Sequence, residues 1–321
     1  SHCYVSVTPL AAHVFPRCCL EREAGVVSDP GPPDTVPVVS GIFDDVARLA
    51  HQHLDAETAD AWLRVVRPAV DLVPAEPDDA VVARLGGEPR LPDGTPWPRW
   101  DPVGPLSYVG ELDLAALAAT GYDCDLPLPV EGRLAFFVLD KSDDYDFADG
   151  SEPDSYQVLH LPTDGTLRPT PPGASAYGEQ TLTARQVVTA PDTFDPALPM
   201  ALGVDADADY RAWLDHPVQA PTFSDALEAL RGTLPRHQVG GWATAVQGPV
   251  EVEAASAKVR RRPLEPEVAT ADGTDPWVLL VQVDSYDGAQ WGDVGTLYWL
   301  AHTEDLARGD LSNTRFVMQS C

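Results

Sequence analysis

Four short, mostly apolar stretches of this chain, each bounded by polar residues or glycine, pair into two similar units. The first unit reads Leu106-Ser-Tyr-Val-Gly-Glu-Leu-Asp113, then Gly132-Arg-Leu-Ala-Phe-Phe-Val-Leu-Asp140. The second reads Leu279-Leu-Val-Gln-Val-Asp284, then Gly295-Thr-Leu-Tyr-Trp-Leu-Ala-His302. Each is an apolar strand ending in an acid or amide, an apolar residue and Asp, followed by a strand that begins Gly-x-Leu-x-aromatic. Side chains alternate faces along a strand. Aligning Leu112 with Val283 therefore puts Val109, Glu111 and Asp113 on one face, matched by Leu280, Gln282 and Asp284. The opposite face, Tyr108, Gly110 and Leu112 against Leu279, Val281 and Val283, is apolar and is expected to be core. A repeated unit of this kind predicts two related halves around a shared core or cleft.

The rest of the chain divides by its punctuation. Residues 1–40 carry Pro9, Pro16, Pro30, Pro32, Pro33 and Pro37 without periodicity and read as an irregular extension. From 42 to 67 the period turns helical: Ile42, Val46, Leu49 and Leu54 share a stripe, which Trp62, Val65 and Val66 continue after a break at Asp55, a good N-cap. Pro68 ends this helical pair. The Pro-rich stretch 141–275 reads as irregular apart from a helix around 225–231. The predicted fold is α+β and mostly β: an internally duplicated sheet unit in two halves, with an N-terminal helical pair and long Pro-rich loops. One domain spans 41–321, with half one at about 80–150, a connecting region at 151–275 and half two at about 276–321.

The chain is strongly acidic. The 50 acidic side chains outnumber 21 basic ones, for a formal net charge of −29, and only Lys141 and Lys258 are lysines. Such a surface repels phosphate backbones, which argues against nucleic acid as a partner. It attracts a basic protein or a cation, or it serves solubility alone. Arginine-over-lysine usage with abundant Ala, Asp, Val and Pro points to a GC-rich bacterial genome. Cys3, Cys18, Cys19, Cys124 and Cys321 show no Cys-x-x-Cys spacing, so a reducing cytoplasm without catalytic thiols is expected. No apolar run approaches the roughly 20 residues of a membrane span, and 4–15 lacks the charged start of a signal peptide.

Candidate chemistry is sparse. Glu111, Asp113, Gln282 and Asp284 occupy equivalent positions in the two units and are candidate ligand groups if the halves converge. Against that, Asp113 precedes a short Ala/Leu helix it would cap, and Asp284 precedes a turn. Trp291 and Asp293, on a loop before the Gly295 strand, are candidates for lining a pocket, as are His237, Trp242 and Gln247 on a loop or hairpin. The acidic loop Asp140, Asp143, Asp144, Asp146 and Asp149 does not follow the alternate-position pattern of an EF-hand. No phosphate loop, nucleophile elbow, metalloprotease or dinucleotide motif is present, so no cofactor or metal is indicated.

Several blocks together resemble one family. Gly86-Gly-Glu-Pro-Arg-Leu-Pro92, Trp97-Pro98 and Pro105-Leu-Ser-Tyr-Val-Gly-Glu-Leu-Asp-Leu114 are similar to the entry signature of the bacterial YwqG-like family. His237-Gln-Val-Gly-Gly241 with Val246-Gln-Gly248, then Trp291-Gly-Asp-Val-Gly-Thr-Leu-Tyr-Trp299, Glu304-Asp-Leu306 and Val317-Met-Gln319 resemble its later blocks. Glu111 stands where the family has Gln, and Gly241-Trp242 where it has Gly-Pro. The resemblance covers roughly 80–321 and implies a mostly β fold in a cytoplasmic bacterial protein, with no reaction attached. Two functions are therefore expected in competition. One is an acidic binding protein for a basic protein partner, such as a toxin-like protein; the other is an enzyme or small-ligand binder using a cleft between the halves.

Overall fold

The computed structural model describes residues 38–101, 103–141, 146–147, 152–162, 164–206, 208–232, 235–256 and 277–321. The expected irregular extension lies outside these residues except for 38–40, which open the first helix, and so does most of the acidic loop after Asp140. Ten strands form one antiparallel sheet: β1 (Arg67–Pro74), β2 (Ala83–Leu85), β3 (Ser107–Asp113), β4 (Arg133–Val138), β5 (Tyr156–Leu161), β6 (Gln180–Thr189), β7 (His237–Val239), β8 (Trp277–Asp284), β9 (Thr296–His302) and β10 (Arg315–Gln319). Their order across the sheet is β5-β4-β3-β2-β6-β1-β7-β8-β9-β10. Strands β1 to β5 and β6 to β10 thus make two successive sets of five. The first strand of each set pairs with the second strand of the other, β1 with β7 and β6 with β2.

The sheet curls until its ends meet. Phe136 of β4 packs on Trp299 of β9 with ring centroids 5.2 Å apart, and Tyr156 of edge strand β5 stacks on Phe316 of edge strand β10. The Tyr156 hydroxyl also donates to the Thr314 carbonyl at 3.2 Å. Inside the curl lies the main core, to which both sets contribute, including Leu112, Leu134, Phe136, Val283, Leu297 and Trp299. A nearly closed sheet leaves little exposed strand edge.

The two hairpins share one register. Glu111 faces Ala135 and Asp113 faces Arg133 across β3 and β4; Gln282 faces Tyr298 and Asp284 faces Thr296 across β8 and β9. Both have an irregularity at the same place, between Tyr108 and Gly110 and between Leu279 and Val281. This extra residue corrects the face assignment made from strict alternation. A bulge lets two residues oppose one step of the partner strand, so the residues before it change faces. Tyr108 comes to the Glu111 side, where burial and the nearby Glu111 carboxylate hold its phenol well above the usual range. Leu279 joins Tyr298 and Leu300 in an outer cluster, while Leu280 enters the main core.

Both second strands end in the same turn. Gly86 and Gly87 after β2 have φ of 61° and 70°, and Gly240 and Gly241 after β7 have 68° and 65°. A side chain at Gly86 would run into the Gly178 carbonyl, and one at Gly240 into the Cys124 carbonyl. Only glycine meets both demands, left-handed backbone and no Cβ.

Helices cover the outer faces. α1 (Val38–His53) and α2 (Ala56–Leu63) precede β1, and the Asp55 carboxylate caps α2 by accepting from the Glu57 and Thr58 N–H groups. With α4 (Ala197–Ala201), α5 (Tyr210–Leu214) and α6 (Pro221–Arg231) they build a separate apolar layer centred on Trp62, Trp213 and Phe223. α3 (Leu114–Ala119) follows β3, α7 (Val250–Ser256) packs on β8 to β10, and α8 (Thr303–Ala307) follows β9. Among its described residues, the stretch expected to be irregular apart from a helix around 225–231 therefore holds three strands of the main sheet and four α-helices, α6 being the expected one. β6, with the sequence Gln180-Thr-Leu-Thr-Ala-Arg-Gln-Val-Val-Thr189, alternates too weakly to announce a strand, yet it lies at the centre of the sheet.

Candidate functional site

A cavity of about 490 Å³ lies between the helical layer and the outer side of β6. Its walls come from α1 and α2 (Ile42, Val46, Trp62), from the run Arg185 to Thr193, from α6 (Ser224, Leu227, Arg231) and from the turn Trp242 to Ala245. That size is typical of a small-molecule site.

One end of the cavity is built on an arginine cluster. Buried Asp71 of β1 accepts Arg231 Nη2 at 2.6 Å and Arg231 Nε at 3.3 Å, a forked pair, and also accepts Arg185 Nη2 at 3.0 Å. Arg231, at the C-terminal end of α6, further donates to Thr244 Oγ1 at 3.1 Å and to Gln238 Oε1. Its carbonyl accepts a second hydrogen bond from Arg185 Nη2 at 2.8 Å, so α6, β1, β6 and the turn after β7 are locked together. Arg236 adds a third guanidinium: Nη2 donates to the Gly232 carbonyl and pairs with Glu228 at 3.1 Å, while its buried Nε has no hydrogen-bond partner among the described residues. Two guanidiniums thus share one buried carboxylate, leaving local positive charge in a strongly acidic protein.

The turn that closes the cavity is held by buried amides and a carboxyl. Gln238 Nε2 donates to the Gly240 and Trp242 carbonyls at 2.6 and 2.8 Å. The Ala243 N–H donates to Glu251 at 3.0 Å, and burial pushes the Glu251 carboxyl up to about 7. Trp242 donates its indole N–H to the Val65 carbonyl at 2.7 Å and its backbone N–H to Thr189 Oγ1 at 2.8 Å; the Arg67 guanidinium lies 3.9 Å above its ring.

Of the residues singled out from the sequence, Trp242 lines this cavity; the other eight do not. Glu111 is buried against Arg133, whose Nη1 donates to it at 2.6 Å. Asp113 caps α3 by accepting the Ala116 N–H at 2.9 Å. Gln282 accepts from Thr244 N–H and donates to the Arg236 carbonyl, so it positions both flanks of the cavity wall without reaching the space itself. Asp284 accepts from the Arg236 N–H, the Ser285 N–H and Thr296 Oγ1. Glu111 and Gln282 share a register and a face but have separate partners. His237 is fully buried; its Nδ1 accepts the Asp284 N–H at 3.1 Å, and burial lowers its pKa to about 4, so it is neutral at pH 7. Trp291 is buried, its indole donating to the Asp284 carbonyl at 3.2 Å, whereas Asp293 and Gln247 are exposed and Gln247 pins the C-terminus through the Ser320 carbonyl. Among the described residues, no group of three or more His, Cys, Asp or Glu is placed to hold a metal ion, and no helix is long and apolar enough to cross a membrane.

Residues 83–321 match the family described as a domain of unknown function (DUF1963), about three quarters of the chain. The chain belongs to that family. No curated protein matches it. The DUF1963 segment begins at β2, so β1 with Asp71, α1 and α2 stand outside it although they complete the sheet and roof the cavity. The arginines escape a reading of the sequence because their meeting is non-local: 46 residues separate Arg185 from the Arg231 carbonyl it bonds, and 160 separate Arg231 from Asp71.

Proposed function

We propose that this chain binds a small molecule in the cavity between the helical layer and β6. The observation that carries the reading is the cavity itself: large enough for a metabolite-sized ligand, apolar along Val46, Trp62 and Leu227, and polar at one end. The space lies over the strand where the two five-strand sets exchange partners, the place a shared cleft would form. The same reading treats the sets as products of one duplication, places the chain among YwqG-like proteins, and locates it in a bacterial cytoplasm. It is tested by denaturing the purified full chain and identifying the released small molecules by mass spectrometry, beside a Ser224→Trp variant whose indole fills the cavity. A compound released from the wild type and absent from the variant supports the reading; matching profiles reject it.

A second reading rests on the net charge of −29. An acidic surface of this strength steers a basic protein partner, and such association slows by an order of magnitude or more as the Debye length falls from about 10 Å at 0.1 M salt to about 3 Å at 1 M. An association rate indifferent to salt rejects that partner and returns the charge to a solubility role.

A further inference from the structure

Resting on the small-molecule reading, we infer that the cavity is selective for an amphipathic anion, with its carboxylate, phosphate or sulfonate at Arg185 and Arg236 and its apolar body against Val46, Trp62 and Leu227. The charges of the lining support this orientation. Asp45 is neutralised by Arg48 at 2.7 Å and Asp71 by Arg231, while Glu228, mostly exposed, engages only Nη2 of Arg236. Arg185 is left with a carboxylate that already holds another guanidinium, and half of its side chain is open to solvent. Arg236 is buried in the cavity wall, and among the described residues its Nε has no hydrogen-bond partner, so a buried donor is left for an incoming anion. The remaining lining acid, Asp192, lies seven residues from Arg185, beyond the end of β6, and its carboxylate accepts the Phe194 N–H at 2.8 Å. Planar guanidiniums bind oxyanions through paired N–H groups, which a cation or a neutral alcohol cannot reproduce.

Calorimetric titration of the full chain with octanoate, 1-octanol and octyltrimethylammonium separates head-group charge from apolar bulk. The expected result is binding of octanoate at least tenfold tighter than either of the others. In Arg185→Met, octanoate should weaken at least tenfold while 1-octanol is unchanged and the melting temperature shows the variant folded. In Ser224→Trp, all binding should be lost. If 1-octanol binds as well as octanoate, or Arg185→Met leaves octanoate unaffected, the anion preference is wrong although Ser224→Trp still shows the cavity to be the site. If none of the three binds the wild type, this inference fails, and the comparison of released molecules decides the broader reading on its own.

Discussion

The turns after β2 and β7 start alike and end differently. Each leaves its strand through two left-handed glycines, and each is anchored by the central polar residue of the neighbouring strand. In the first half Glu111 acts through Arg133, whose Nη2 donates to the Arg90 carbonyl at 3.0 Å. In the second half Gln282 accepts the Thr244 N–H directly at 2.9 Å. Beyond these anchors the two loops diverge. The first folds back on the sheet and seals it, Trp97 packing edge-on against Phe137 and donating its indole N–H to the Leu106 carbonyl. The second runs beneath a helical layer and leaves a cavity with arginines at one end. The strand scaffold fixes where the backbone goes, and the connections decide whether that place is core or site. A buried Glu–Arg pair closes one turn and a neutral amide holds the other, so the first half neutralises its charge internally and the second keeps guanidiniums near open space.

The largest effects are expected at the glycines. Gly86→Ala and Gly240→Ala each force a left-handed alanine into a backbone carbonyl, and each should cost about 4 kcal/mol or more, seen as insoluble expression or a collapse of the urea midpoint. Gly94→Ala, with φ of 85° and open space around it, should cost only about 1–2 kcal/mol. Equal tolerance at all three positions would contradict the shared-turn account.

Next comes the arginine cluster beside the second turn, which joins Asp71 of β1 to Arg185 of β6 and Arg231 of α6. Asp71→Ala leaves two guanidiniums without their carboxylate and should lower unfolding free energy by about 3–5 kcal/mol in urea titrations. A loss below about 1 kcal/mol would mean that the cluster does not tie β1 to α6.

A pH-dependent effect of about 3 kcal/mol is expected at Glu251. Its folded pKa is raised to about 7 from 4.5, so the folded state holds the extra proton between those values. Stability from this group is present below about pH 4.5, falls as pH rises toward 7, and stays lower above it. Glu251→Gln keeps an acceptor for the Ala243 N–H and removes the charge. Relative to wild type it should gain stability as pH rises from 5 to 7 and level off above that in paired thermal melts; a constant difference from pH 5 to 8 would overturn the assignment. Smallest of all, Arg185→Met should change stability by less than about 1 kcal/mol, since Asp71 retains Arg231, and any larger loss would recast Arg185 as part of the fold.

How much of this was legible depends on the range of each signal. β3, β4, β8 and β9 were readable because a buried strand writes its period into adjacent residues. The two Gly-Gly pairs were also visible, yet as separate motifs; their equivalence emerges only once β2 and β7 occupy matching places. β1 was hidden by Pro68, Pro74 and Asp71, which look like loop residues until Asp71 is seen under two arginines. β6 was hidden because its polar Gln186 is satisfied across the sheet, donating to the Ala69 and Asp123 carbonyls. Bulges at Val109 and Leu280 leave no mark in composition, so the face assignment failed there. Trp242 was singled out and lines the cavity, whereas Arg185, Arg231 and Arg236 were passed over, because nothing local distinguishes a cavity arginine from a solvated one.

Hydrogen–deuterium exchange of the full chain with and without octanoate tests the contrast between the halves most directly. The account predicts added protection in residues 42–63, 221–231 and 242–245, which surround the cavity, and no change in 86–106. Protection of 86–106 to the same degree, or no protection around the cavity at saturating octanoate, would contradict it.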